Sequence, residues 1–212
     1  MPGADDWSTL AASGDPDDIR ERILTGFKTG KPFTPYAPTI ALPGGLRRVL
    51  DFGCGLGRNF PYLTGIAERV VGFDLPAMIA RCRALATTPV DGLDDDWTRV
   101  RQQRFDLVFA SLVVQHVQTD MCRAYLHDFA RLAPAVYLLT RTDSDFGQNV
   151  LDLVAETGAY DSGPCVEVEH DPRTHQLLAI GQSTLDEARR ERASRHYEVL
   201  LRPRAITTTA TI

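Results

Sequence analysis

The chain has 212 residues, 43% of them hydrophobic, and a net charge of −5. That length suits one domain with a sizeable core and a covering segment, without a second full domain, and the acidic balance argues against nucleic acid as a partner. The opening residues lack the basic start and apolar run of a secretory signal, no apolar stretch reaches bilayer length, and the four scattered cysteines (54, 82, 122, 165) fit neither a zinc site nor a disulfide framework, so a reducing cytoplasm is expected.

Residues 1–18 are polar and rich in Asp, Gly, Ser and Pro, and are expected to fray. Asp17 to Leu24 reads as a helix with acids in its first turn. Prolines at 32, 35, 38 and 43 exclude a regular helix there and predict an extended connection into a first strand over 47–52. A helix is predicted from near Arg58, with Pro61 tolerated in its first turn. A second strand covers 69–74, a helix opened by Pro76 runs to Leu85, and a third strand falls somewhere in 88–93. Phe105 to Ser111 is a nearly continuous apolar run, the pattern of a central strand covered on both faces. Thr119 or Asp120 is expected to cap a helix through Leu132, followed by a fifth strand over 135–140.

After Arg141 the pattern changes. A polar loop (142–148) precedes a predicted helix over 149–157, then two short strands, 165–170 and 176–180, around Asp171-Pro172-Arg173. Gly163-Pro164-Cys165 reads as a turn into the first of them. A charged helix over 183–192 leads to His196 to Leu201, whose alternation suits an edge strand. Strands alternating with helices predict an α/β fold with a doubly wound, mostly parallel sheet. Residues 1–44 form an N-terminal arm or lid, and 45–212 the core, with an insert around 142–183.

Two blocks carry the chemistry. Val49 to Gly57 is an apolar strand ending in Asp51 and running into glycines at 53, 55 and 57; Val70 to Asp74 is a second apolar strand closed by an acid. Glycine tolerates positive φ and lets a ligand approach the main chain, and an acid ending the second strand can accept from both ribose hydroxyls. A dinucleotide fingerprint needs glycine at 58, where this chain has Arg58.

The D-x-G-x-G-x-G block and the spaced acid resemble the class I S-adenosylmethionine-dependent methyltransferases of small-molecule type. The resemblance implies a Rossmann-like sheet whose last strand runs antiparallel. It also implies S-adenosylmethionine as cofactor: Asp51 with the backbone of Gly53, Cys54, Gly55 and Gly57 at its methionine end, Asp74 on the ribose, and Leu75 and Ser111 as further contacts. A zwitterionic amino acid needs an anion for its ammonium and free N–H groups for its carboxylate, which Asp51 and the glycine turn are expected to supply. After the third strand come Asp91, Asp94, Asp95, Asp96 and Trp97. One of these acids would accept from the adenine amino group, with Asp95 and Asp96 carried as contacts and Trp97 against the base; the alternative is an acidic turn capping a short helix.

Ser111 to Val117 is similar to the small-molecule branch, where a histidine follows this strand, and it lacks the Asn/Asp-Pro-Pro-aromatic motif of enzymes that methylate exocyclic amines. His116 is the candidate catalytic base, the alternative being a histidine that only positions the loop. His170 and His175 alternate with Glu167 and Glu169 without a ligand spacing, so no metal is expected. The expected activity is methyl transfer to an O, N or S atom of a small molecule, anionic if Lys28 and Lys31 in the lid meet it. A non-catalytic cofactor-binding partner, a nucleotide-dependent oxidoreductase, and an RNA or protein methyltransferase are the other readings.

Overall fold

The structure is a computed structural model that describes residues 36–204 apart from 172, 175 and 192. Eight strands form one sheet: β1 (Leu46–Phe52), β2 (Ala67–Phe73), β3 (Gly92–Asp94), β4 (Leu107–Ser111), β5 (Val136–Arg141), β6 (Tyr160–His170), β7 (Leu177–Ser183) and β8 (His196–Pro203). Their order is β3-β2-β1-β4-β5-β8-β6-β7. The pairings from β3 through β5 are parallel. β8 runs antiparallel to both β5 and β6, and β7 antiparallel to β6. The predicted Rossmann-like, mostly parallel sheet with an antiparallel last strand is therefore what forms.

Helices cover both faces. α1 (Phe60–Ile66) and α2 (Pro76–Leu85) flank β2, α3 (Trp97–Val100) follows β3, α4 (Thr119–Leu132) joins β4 to β5, α5 (Val150–Thr157) precedes β6, and α6 (Leu185–Arg190) precedes β8. α4 buries Cys122, Leu126, Phe129 and Leu132, a single stripe at helical spacing. It packs with α5 on the face that carries Leu50, Phe52, Val108, Leu138 and Val199. The other face carries Val49, Phe109, Tyr137 and Leu200, covered by Phe60, Leu63, Ile79, Cys82 and by Ile40 from the arm. None of the helices among the described residues is long and apolar enough to cross a membrane.

Several boundaries differ from expectation. β8 is interior, with partners on both sides, and β7 is the edge. β6 starts at Tyr160, so Gly163-Pro164 is a register shift inside a long strand. Pro164 cannot donate to a ladder, and a side chain at Gly163 would stand 2.1 Å from the Leu200 carbonyl, so both residues belong at such an irregularity. The third strand is only three residues, at 92–94. Gln118, not Thr119 or Asp120, occupies the start of α4, and no side chain caps it. The helix predicted over 17–24, Lys28 and Lys31 lie outside the described residues.

Candidate active site

The carboxyl ends of β1, β2 and β4 meet at the glycine loop. Asp51 stands opposite Gly72 on β2 and Phe109 on β4, which puts Asp74 and Ser111 two residues beyond it on the flanking strands. Gly53, Gly55 and Gly57 all have positive φ. A Cβ on Gly53 would stand 2.2 Å from Val113, and one on Gly57 2.4 Å from the Phe60 ring, so the loop is folded tightly between the β4 turn and α1.

The loop's amides are already engaged. Gly53 and Cys54 both donate to the Phe73 carbonyl (2.8 and 3.1 Å), Gly57 to Cys54 O (2.9 Å), and Gly55 to Asp74 Oδ2 (2.8 Å). The expected free N–H groups for a carboxylate are absent at these four positions, because a loop packed on the end of β2 must pair its amides internally. The cation at the end of the loop is Arg58, which sequence reading used only to exclude a dinucleotide. Its guanidinium lies 4.3 Å from the Tyr36 ring, and burial pulls its pKa below the usual value. Tyr36 in turn meets His170 edge-on at 5.8 Å, so the arm and the β6–β7 hairpin converge on Arg58.

Asp51 is 1% exposed, and neither of its oxygens has a hydrogen-bond partner among the described residues. Burial, reinforced by the charge of Asp74 and opposed by Arg58, raises its pKa to about 8. Asp74 is raised to about 6 by burial, against the hydrogen bonds it accepts from Gly55 and Leu75, the latter at 2.7 Å. Ser111 Oγ and Asn59 Oδ1 are likewise buried without a partner. Buried polar groups are normally paired; four such atoms around one crevice are acceptors and a hydroxyl awaiting a polar ligand. A ligand with an ammonium for Asp51 and a diol for Asp74 fits this set.

After β3, Arg99 gathers the acids: it reaches Asp94 at 2.7 Å, Asp95 at 3.3 Å and Asp96 at 3.8 Å. Asp96 caps α3 by accepting from Thr98 N (2.8 Å). The Trp97 ring packs among Phe52, Phe73 and Tyr125, and its N–H donates to Asp128 (2.9 Å). No cluster of three or more potential metal ligands occurs among the described residues; His175 is outside them.

Beyond Ser111 the chain turns through Leu112, the one non-glycine among the described residues with positive φ (56°), whose N–H donates to Leu139 O at 2.7 Å. A left-handed leucine is strained by about 1–2 kcal/mol, and the turn it makes brings Val113 onto Gly53 and leads into a short 3-10 turn, Val114–His116. There His116 Nδ1 lies 2.6 Å from Asp145 Oδ2, and Arg141 reaches the other Asp145 oxygen at 3.2 Å. Asp145 sits in the loop after β5, and its own N–H donates to the Gln115 carbonyl (3.0 Å). Sequence reading missed Asp145 and Arg141; their only signal was charge within an otherwise polar loop.

A glycine-lined crevice at the carboxyl ends of parallel strands, with an unpaired acid and a second acid one strand away, defines a nucleoside-cofactor site of Rossmann-like type. Residues 12–181 match the family model described as "Methyltransferase domain". The chain belongs to that family and is a class I S-adenosylmethionine-dependent methyltransferase. The N-methyltransferase NodS from Bradyrhizobium japonicum WM9, solved with S-adenosyl-L-homocysteine, is similar in fold: 17% identity over 76% of this chain and 80% of that one, TM-score 0.51. The magnesium protoporphyrin IX methyltransferase ChlM from Synechocystis PCC 6803, solved with bound S-adenosylmethionine, aligns at 17% identity over 75% of this chain and 71% of that one, TM-score 0.47. No curated protein matches the chain.

Proposed function

We propose that this methyltransferase acts on an O, N or S atom of a small molecule, with Asp51 holding the ammonium of the cofactor, Asp74 its ribose and Arg58 its carboxylate. The observation that carries the residue roles is the buried, unpartnered carboxylate of Asp51 beside Asp74. When bound, the cofactor supplies an electrophilic methyl group on a sulfonium. The protein's part is to orient the two reactants and exclude water, and orientation alone can supply roughly 7–11 kcal/mol.

Asp74 exchanges its bond to Gly55 N for the ribose hydroxyls, which frees one loop amide for the ligand. Leu75 and Ser111 border the same crevice; Asp95 and Asp96, the acids proposed for adenine, are paired with Arg99, and Asp96 also caps α3, so either would have to give up these contacts to bind it. At the end of the arm the Tyr36 ring lies 4.3 Å from the Arg58 guanidinium, while Thr39 and Ile40 hold the arm on the sheet. His116, in the 3-10 turn that follows β4, is the candidate for the acceptor side of the crevice.

Asp74→Ala should leave the fold intact and weaken S-adenosylhomocysteine binding by about 1–3 kcal/mol, as expected for a lost charge-assisted hydrogen bond. Calorimetry reads this directly. Unchanged affinity in a folded variant would remove Asp74 from the ribose role, and methylation of RNA or protein in place of small molecules would overturn the substrate reading.

A further inference from the structure

The contact with Asp145 sets which nitrogen of neutral His116 carries the proton. The Asp145 carboxylate, 2.6 Å from Nδ1, can only accept there, so Nδ1 donates. On the other side, Thr140 Oγ1 lies 3.3 Å from Gln115 Oε1, and Gln115 Nε2 lies 3.4 Å from His116 Nε2. With its oxygen toward the threonine hydroxyl, the Gln115 amide offers an N–H to Nε2, in keeping with a lone pair there. At 3.4 Å that contact is at the long end of the hydrogen-bonding range. Asp145 is itself immobilised: its side chain is 6% exposed, Arg141 (12% exposed) holds its second oxygen, and its main chain is tied to Gln115. Asp143 lies 3.7 Å from Arg141 Nε, and His196 feels the charge of both.

The geometry points to Asp145, held by Arg141, as the positioning residue that keeps His116 Nε2 a proton acceptor, and to an acceptor substrate that arrives protonated as a weakly acidic hydroxyl, a phenol or an enol. This rests on the methyl-transfer reading of the same crevice. An amine that arrives neutral or a thiol that arrives as thiolate has no need of an oriented base before attack, whereas a neutral hydroxyl is a poor nucleophile until its proton is taken. Imidazole is a mild base, so among hydroxyls it serves the more acidic ones, phenols and enols, most readily. The step balances. The acceptor O–H gives its proton to Nε2 as an oxygen electron pair forms the C–O bond; the C–S bond breaks with its pair returning to sulfur, leaving a neutral thioether. The imidazolium faces Asp145 until solvent removes the proton.

The test uses the full chain with S-adenosylhomocysteine, ¹⁵N-labelled at histidine, and a panel of phenols with thiophenol as a pre-ionised control. In the wild type the neutral His116 ring should carry its proton on Nδ1. Asp145→Asn should disturb that tautomer and lower kcat on the phenols about 10- to 100-fold, with KM and S-adenosylhomocysteine affinity unchanged; Asp145→Glu should restore part of the rate, and thiophenol turnover should move little. A wild-type His116 protonated on Nε2, an equal loss on thiophenol, or a panel in which no phenol is methylated overturns the inference. Failure to bind S-adenosylhomocysteine would instead overturn the cofactor site on which it rests.

Discussion

Asp51→Asn should stabilise the ligand-free protein and weaken cofactor binding in the same variant. An unfolded aspartate titrates near 3.8, whereas the folded Asp51 is held up to about 8 by burial. Between those values the folded protein keeps a proton that the unfolded chain has released, so stability falls as pH rises through the window and levels off above about 8. The contribution is at most about 6 kcal/mol and is absent below the unfolded value. Asparagine removes this slope. Thermal melts of the ligand-free protein should therefore decline between about pH 5 and 8 in the wild type, partly through the smaller window of Asp74, and decline less in the variant. Saturating S-adenosylhomocysteine should offset the wild-type decline, because its ammonium stabilises the ionised carboxylate. The variant should lose about 2–4 kcal/mol of cofactor affinity, the usual result of removing one partner of a buried charge pair. A variant that melts like the wild type at about pH 8 and binds the cofactor normally would show that Asp51 is neither strained nor a ligand.

Glu198→Ala should cost about 3–5 kcal/mol and loosen the arm. Glu198 is 0% exposed, yet it accepts from Tyr137 OH (2.8 Å) and from Thr39 N (2.9 and 3.0 Å), with the Thr39 hydroxyl bonded to it as well. Alanine leaves three donors facing a void, one of them on a fully buried tyrosine. Glutamine keeps an acceptor oxygen and should lose only about 1–2 kcal/mol. Urea unfolding measures the stability, and chymotryptic cleavage at Tyr36 or Leu42 reports whether the arm has come away. An alanine variant within about 1 kcal/mol of wild type, with its arm still protected, would mean that Glu198 does not anchor the segment.

The same glutamate explains where the sequence misled. In His196 to Leu201 it occupies an alternating polar position, the signature of a strand with one face in water, so the segment read as an edge. The polar side chain instead points inward, because Thr39 and Tyr137, far away in sequence, satisfy it. The first half was legible for the opposite reason: the later residues of β1 and β2 and most of β4 are apolar, the first two lead into Asp51 and Asp74, and their partners are local to the motif. β3 left only a faint trace because its three residues are all half-buried. Asp51 and Asp74 could be placed from spacing alone. The engaged state of the loop amides, and the partnership of His116 with Asp145, could not, since both depend on which backbone carbonyl or loop carboxylate the fold brings near.

The position of β8 has a consequence for synthesis. It is the last described strand to leave the ribosome, yet it fills the gap between β5 and β6. Until residues 196–203 emerge, those two strands face each other across a gap of roughly 10 Å, twice the interstrand spacing, with one unpaired row of N–H and C=O groups on each rim. Open apolar rims of this kind recruit other chains. The nucleotide-binding half can close early; the nascent chain stays adhesive until β8 slides into the slot, so soluble yield should hinge on how promptly that segment is released.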